Sequence, residues 1–208
     1  MDKSIGQSGR TTAPSPRRDG AGEATRRRLL TAAAQLIAEV GWGRVTTRAV
    51  AERAGLPHGA VSYHFRGKRE LLGEAAMHAF SDALPADSFA ALTSVDDLIG
   101  LMRAEIGTPE AVDPVMSRLM METLREAERD PWLRERMGEF MATYRAVIVN
   151  LVRHEQENGR IPKAASAEGL ATLLAAVGDG LLMHALLDPQ LEVDAALDAL
   201  GALLSLRR

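Results

Sequence analysis

Side chains able to bind phosphate groups and base edges are concentrated between positions 46 and 68 of this 208-residue chain. Arg48 carries a planar fork of donors that matches the O6 and N7 atoms of guanine, and His58, Ala60 and Ser62 follow where a helix can present them to base edges. Hydroxyl, imidazole and ammonium groups suit phosphate oxygen atoms, which position a protein on a duplex without reading its sequence. The candidate DNA-binding residues are Thr46, Thr47, Arg48, His58, Gly59, Ala60, Ser62, Tyr63, His64 and Lys68.

Other roles stay open for some basic and aromatic residues of the first third of the chain. Tyr63 and His64 could be packing residues, and His58 could simply face water. The three arginines at 26–28 could reach the DNA backbone or the minor groove, or could form a solvated helix face. The sequence alone does not decide between these roles.

Three short helices separated by glycines are predicted to carry the candidate residues. Apolar residues at helical spacing predict helices over 25–40 and 48–54, and Pro57 opens a third. Gly55 supplies a tight turn between the second and third helices, and the small side chain of Ala51 lets them approach at a steep angle. This arrangement is typical of a helix-turn-helix, in which the later helix enters the major groove.

The charge distribution agrees with a head that binds a polyanion. Residues 1–80 carry 13 Lys and Arg against 7 Asp and Glu, whereas the remaining residues carry 12 against 21. A basic first third on an acidic body is the electrostatic pattern of a nucleic-acid-binding head. The alternative is that the charges fall unevenly on solvated helix faces.

This region resembles the DNA-binding domain of the TetR family of bacterial repressors. The resemblance covers roughly residues 25–80 and rests on the segments GW at 41–42, TTRAVA at 46–51, AGL at 54–56, GAVSYHF at 59–65 and KREL at 68–71. Pro57 departs from the family pattern, in which Ser or Thr is common at this position. We expect the fixed φ of proline to replace the side-chain cap and to shift the start of the helix by a residue.

Composition predicts an all-α fold and excludes several classes of site. Aromatic residues make up only 4% of the chain, and cysteine is absent, which excludes disulfides and thiolate zinc sites. The five histidines form no metal-ligand pair, and no catalytic motif is present, so we expect no metal, no cofactor and no enzymatic activity. Asp179 and His184 interrupt the most apolar stretch, and no secretion signal is found. We therefore expect a cytoplasmic protein without a membrane span.

We divide the chain into a flexible N-terminal arm at 1–22, a helix-turn-helix domain at 23–68, and a ligand-binding and dimerisation domain at 69–208. The resemblance implies the same architecture, an N-terminal three-helix helix-turn-helix domain followed by a helical bundle. Breaks at Gly and Pro predict the later helices over 68–83, 94–106, 114–129, 131–158, 165–187 and 193–206.

The body contains many methionines at helical spacing, together with aromatic residues on the predicted helix 131–158. Flexible thioethers suit a pocket for apolar guests, although any single methionine could equally belong to an ordinary core. Polar groups next to these stripes could orient a ligand. The candidate ligand-binding residues are Met102, Met120, Thr123, Met137, Phe140, Met141, Tyr144, Val177, Leu181 and His184.

The last two predicted helices carry leucines on more than one face, including Leu197, Leu200 and Leu203. A helix that packs on one side only would not need them. One face can cover the pocket while another meets the same helices of a second subunit, which is how the resembled family dimerises. A two-fold dimer matches a palindromic operator.

The leading hypothesis is a homodimeric regulator of transcription, a repressor that binds a palindromic operator in double-stranded DNA and is released by an unknown, mainly apolar small molecule. Two other classes stay open. A metabolic enzyme with an all-α body would show turnover without DNA. A DNA-architectural protein or an activator would lack a response to small molecules.

Overall fold

The computed structural model describes residues 16–205. Ten α-helices and one 3₁₀ turn form this part of the chain, which contains no strand. In chain order they are α1 Pro16–Val40, the 3₁₀ turn Trp42–Arg44, α2 Thr47–Arg53, α3 Gly59–His64, α4 Lys68–Ala83, α5 Ala86–Ala90, α6 Val95–Ile106, α7 Pro114–Ala127, α8 Pro131–Glu157, α9 Ala167–Leu187 and α10 Val193–Ser205.

Local signals set the turns of the head, which is formed by α1, α2 and α3. Gly41 ends α1 with a φ of 82°, a left-handed conformation that glycine adopts at little steric cost. Thr46 caps α2 by accepting a hydrogen bond of 3.1 Å from the backbone N–H of Ala49. Gly55, with a φ of 63°, makes the turn between α2 and α3. The predicted helix-turn-helix is confirmed.

Side-chain caps begin four helices of the body. Ser94 and Asp97 form a reciprocal capping box at the start of α6. Asp113 and Asp130 accept backbone hydrogen bonds at the starts of α7 and α8, and proline occupies the first turn of each helix. Ser166 caps α9. These caps explain why the body helices begin where the sequence breaks predict.

The described residues form two hydrophobic clusters. The first joins the head to α4, to Leu119 of α7, and to Leu133 and Met137 in the first half of α8. The second joins α5, α6, the second half of α8, α9 and α10. The predicted boundary at 68 coincides with the start of α4, yet the core of the head continues into the body. The head therefore shares its core with α4, α7 and α8.

All nine helices predicted from the sequence are present, and the body helices agree with the predicted bounds to within two residues. α3 begins two residues after Pro57. The short α5 was not predicted, because five residues are too few to show a periodic pattern. Residues 16–22, assigned to the arm, form the start of α1, since proline is compatible with a first helical turn. The rest of the predicted arm lies outside the described residues.

By length and composition alone, α9 could cross a membrane. Its mean hydropathy is 1.8, and only 11% of the 18-residue window is buried within the chain. A single such helix is weak evidence for a membrane span, because helices of soluble proteins pass the same test. Most of the apolar surface of α9 is nevertheless left uncovered by the described residues.

Candidate nucleic-acid interface

The helix-turn-helix presents most of the predicted DNA-binding residues to solvent. Six of the ten are exposed: Thr46, Arg48, His58, Gly59, Ser62 and Tyr63. The other four are half-buried: Thr47, Ala60, His64 and Lys68. The inner sides of α2 and α3 are anchored by Val50 and Val61, which are 0% and 3% exposed. Six of the predicted residues are therefore accessible to a partner, and four are partly covered.

Arg48 is free to bind a partner. It lies in the first turn of α2, one residue after Thr47, and its guanidinium makes no hydrogen bond or ion pair within residues 16–205. The hydroxyl oxygen of Thr46 is used in the cap of α2, which fixes the start of this helix. A fixed helix start with an unpaired arginine suits bidentate recognition of a guanine edge.

Tyr63 does not pack in the core. Its side chain is 84% exposed, and its ring meets the half-buried ring of His64 edge to face, with 4.9 Å between centroids. The His64 ring lies 6.3 Å from that of the buried Phe65. His64 thus supports the orientation of Tyr63, whose hydroxyl group faces solvent at the end of α3.

Lys68 links the start of α4 to the 3₁₀ turn. Its Nζ atom donates a hydrogen bond of 2.9 Å to the carbonyl oxygen of Gly43. An ammonium group has three donors, so two remain for phosphate oxygen atoms. Lys68 therefore has a structural role in addition to the predicted contact with phosphate.

Two of the arginines at 26–28 make contacts with neighbouring helices. Arg26 pairs with Glu74 of α4, and its guanidinium lies 5.2 Å from the ring centroid of Phe65. Arg28 donates a hydrogen bond of 2.6 Å to the carbonyl oxygen of Ala54 at the end of α2. These two side chains brace α1 against its neighbours. Arg27 stays exposed.

Comparison with known proteins identifies this arrangement. Residues 29–75 match the family model of bacterial regulatory proteins of the tetR family, and residues 102–206 match the C-terminal domain of BetI-type transcriptional repressors. The chain belongs to the TetR family. Members of this family are transcriptional regulators, so the enzyme alternative is set aside and the chain is a DNA-binding regulator of transcription.

Individual TetR-type relatives cover most of the chain. A helix-turn-helix transcriptional repressor of Mycobacterium tuberculosis is 30% identical over 159 residues, which are 76% of this chain and 81% of that protein. A transcriptional regulator from Saccharomonospora viridis, solved in complex with choline, has a TM-score of 0.70 at 23% identity and covers 86% of this chain and 95% of its own. The SmeT–triclosan complex has a TM-score of 0.66 at 25% identity, with coverages of 81% and 83%.

Seven of the ten predicted ligand-binding residues are divided between the two hydrophobic clusters. Met120, Met137 and Phe140 belong to the cluster shared with the head, and Thr123 is buried with its hydroxyl donating to the carbonyl oxygen of Leu119. In the second cluster lie Met102, Tyr144 and Leu181. Of the remaining three, Met141 and Val177 are half-buried and His184 is exposed. Spacing along a helix cannot show which of two cores a side chain joins.

Aromatic rings connect the two clusters. The ring of Phe140 lies 5.9 Å from that of Phe80 and 4.5 Å from that of Tyr144, which in turn lies 4.6 Å from Phe89 of α5. The hydroxyl group of Tyr144 donates to the carbonyl oxygen of Leu84, the residue that ends α4. Burial raises the pKa of Tyr144, so its hydroxyl stays protonated and able to donate. Tyr144 thus ties the body to α4.

A second junction, between α4 and the start of α8, involves contacts that the sequence analysis did not predict. Asp130 accepts two hydrogen bonds of 2.6 Å from Arg69 of α4, and this guanidinium lowers the pKa of Asp130 to about 2. Arg69 also lies 5.5 Å from the ring centroid of Trp132. Asp130 and Trp132 both lie some 60 positions from Arg69 along the chain. No local sequence pattern could therefore reveal these contacts.

The outer faces of α9 and α10 are apolar and exposed. Leu173, Leu187 and Leu203 are 63%, 80% and 66% exposed. Leu197, by contrast, is 0% exposed, and Leu200 packs partly into the protomer's own second cluster. The expectation of apolar residues on more than one face is thus met, but Leu197 and Leu200 serve the core of the protomer.

Proposed function

We propose that this TetR-family protein is a homodimeric repressor that binds a palindromic operator and is released by a mainly apolar small molecule in the cytoplasm. The observation that carries the proposal is the exposed, unpaired Arg48 at the rigid start of α2. A repressor of Mycobacterium tuberculosis at 30% identity supports the direction of the regulation.

The proposed DNA contacts follow from the positions of the candidate residues on α2, α3 and the start of α4. Arg48, His58, Ala60 and Ser62 would face base edges, since they lie at the starts of α2 and α3 or on the exposed side of α3. The hydroxyl groups of Thr47 and Tyr63 and the remaining donors of Lys68 would hold phosphates. His64 would act through its contact with the Tyr63 ring.

The homodimer would form through α9 and α10. Leucines exposed by more than half on both helices leave an apolar surface that a second copy can cover, and a two-fold interface buries the same patch twice. This accounts for the hydropathy of α9 without a membrane. A two-fold dimer would present two heads to two half-sites, which in helix-turn-helix operators lie about 34–36 Å apart.

The ligand would enter the second cluster, where Met102, Tyr144 and Leu181 share one core. The terminal methyl group of Met102 lies beside Gly178, and its thioether side chain is flexible enough to adapt to a guest. The SmeT–triclosan complex, at 25% identity, supports an apolar small molecule as the ligand. Ligand binding beside Tyr144 would act on the end of α4 through the Leu84 carbonyl.

The test is selection of DNA from a random-sequence duplex pool, followed by light scattering of the complex. We expect an enriched inverted repeat, bound by two chains per repeat unit or by a multiple of two. Enrichment of a sequence without two-fold symmetry, bound by one chain, would contradict the proposal. A DNA-architectural role would instead give binding without an enriched sequence.

A further inference from the structure

We propose that Glu122, a residue of the body helix α7, is a positioning residue for DNA recognition. Its carboxylate holds the turn that leads from α1 into the Thr46–Arg48 segment, so the body sets the position of this segment directly. The inference rests on the proposed function, in which Thr47, Arg48 and Lys68 contact DNA.

The contact between Glu122 and the head is specific. The Oε2 atom of Glu122 accepts a hydrogen bond of 2.8 Å from the backbone N–H of Trp42, across 80 positions of sequence. The same atom accepts a bond of 2.7 Å from Arg125, one turn further along α7. Arg125 thus fixes the carboxylate from the body side, and the side chain is only 25% exposed.

Gly41 makes this contact possible. Its φ of 82° aims the chain into the 3₁₀ turn, and a Cβ atom at this position would lie 3.2 Å from Oε2 of Glu122. Any larger residue would therefore be strained and would also press on the carboxylate. The sequence indicates only that Gly41 ends a helix. In the structure, Gly41 also leaves room for the carboxylate of Glu122.

The turn held by Glu122 is the base of the DNA-contacting segment. Trp42 and Val45 are buried at 7% and 1% exposure, so the turn is anchored at both ends. Between them, the Gly43 carbonyl accepts from Lys68, which ties the same turn to the start of α4. Thr46 and Arg48 follow immediately, so a shift of the Trp42 backbone must move them.

Glu122 therefore gives the body a route to the DNA contacts that does not pass through the end of α4. It lies next to Thr123, whose side chain is buried in the core shared with the head. The outer side of the same contact opens into a cleft of about 540 Å³ between α1, α7 and Leu186 of α9. A displacement of α7 would loosen the Glu122 contact and with it the segment that carries Arg48.

Glu155 provides a matched control for Glu122, because its carboxylate also stabilises the fold but lies away from the head. Glu155 is 4% exposed at the far end of the body, accepts a bond of 3.3 Å from the backbone N–H of Val95, and pairs with Arg160. It makes the same kinds of contact as Glu122 but touches no residue of the head. Glu155→Ala reports the effect of lost stability alone.

The experiment measures the affinity of full-length variants for the duplex selected by the wild-type protein, at a temperature where each is folded. We expect Glu122→Ala to bind about tenfold more weakly, the loss typical of one charge-assisted hydrogen bond. Glu122→Gln keeps an acceptor oxygen and should recover most of the affinity. The ¹⁵N–¹H resonance of Trp42 should shift in Glu122→Ala and lie near its wild-type position in Glu122→Gln.

Three further results would be decisive. Unchanged affinity in Glu155→Ala, despite its lower melting temperature, supports a positional role for Glu122. If Glu122→Ala also keeps wild-type affinity while Arg48→Ala loses it, the inference is wrong and the proposed function stands. If the wild-type protein selects no duplex, the proposed function is wrong, and so is the inference about Glu122 that rests on it.

Discussion

The indole ring of Trp132 packs so closely on Gly73 that a Cβ atom at Gly73 would lie 2.3 Å from Cζ3 of the ring. This contact joins the first turn of α8 to the middle of α4. The ion pair between Arg69 and Asp130 lies one turn of α4 away. The start of the longest body helix is therefore locked onto the helix that leaves the DNA-binding head.

Replacing Gly73 by alanine should destabilise the protein by about 1–3 kcal/mol, because the ring of Trp132 must move or strain the core. Gly100→Ala on α6 is the matched control, since nothing lies within 4 Å of a Cβ at Gly100. The better helix propensity of alanine should there stabilise the protein by up to about 1 kcal/mol. Urea unfolding measures the free energy of unfolding of both variants. A change of the same sign in Gly73→Ala and Gly100→Ala would contradict the close packing of Trp132 on Gly73.

The ion pair between Arg69 and Asp130 predicts a pH dependence. The pKa of Asp130 is lowered from 3.8 to about 2 in the folded protein, so its contribution to stability is complete above 3.8 and is lost as the pH falls through about 2. Asp130→Asn removes the charge but keeps an oxygen for the α8 cap. The difference in unfolding free energy between wild type and variant should therefore narrow as the pH is lowered from 7 to 3. If the difference in unfolding free energy does not change with pH, the charge of Asp130 contributes nothing to stability.

The sequence predicted the positions of the helices better than the contacts between distant residues. Glycines at 41 and 55, the Thr46 cap and the Asp–Pro pairs act within a few residues of themselves, so their positions along the chain were enough to place the helices. Glu122 and Trp132 act on residues 80 and 59 positions away. Their roles depend on the packing of α7 and α8 against the head, which no local pattern records.

The same limit applies to the leucines and to the ligand residues. Leu197 and Leu203 lie six residues apart on α10, yet one is buried in the protomer and the other is 66% exposed. Helical spacing showed that α10 has two apolar faces, but only the structure shows which face the protomer itself covers. The candidate methionines were likewise predicted as one set, but Met120 and Met137 join the first cluster, Met102 joins the second, and Met141 joins neither.

Charges on the exposed leucines should prevent dimer formation. In the double variant Leu173→Glu, Leu203→Glu, two carboxylates would have to be buried unpaired in the proposed interface, at a cost of several kcal/mol. Light scattering should then show a monomer with weaker binding to the selected repeat. Leu124→Glu is the control, because it adds a carboxylate at a leucine that is 50% exposed on α7 rather than on α9 or α10. A double variant that stays dimeric would place the interface elsewhere.

Arg48 and Lys68 should differ in what their removal does to DNA binding. Arg48→Ala should lose about 1–3 kcal/mol of discrimination at one base pair, whereas Lys68→Ala should weaken binding to all sequences and lower the salt slope by about one. Titrations of selected and scrambled duplexes at several salt concentrations separate the two effects. Arg129→Ala, an exposed arginine beyond α7, controls for the loss of one positive charge. Equal losses on both duplexes in Arg48→Ala would show that Arg48 does not read a base.

Ligand and DNA should bind the dimer antagonistically. A ligand that lowers DNA affinity must itself bind less tightly to the DNA-bound dimer, with a coupling of about 1–3 kcal/mol. An apolar compound found by a shift in melting temperature would be titrated by calorimetry with and without the saturating selected duplex. Met102→Ala should weaken its binding, while Met121→Ala, which truncates an exposed methionine of α7, should not. Equal ligand affinities in the free and DNA-bound dimers would exclude release by this compound, even if Met102 proves to line its site.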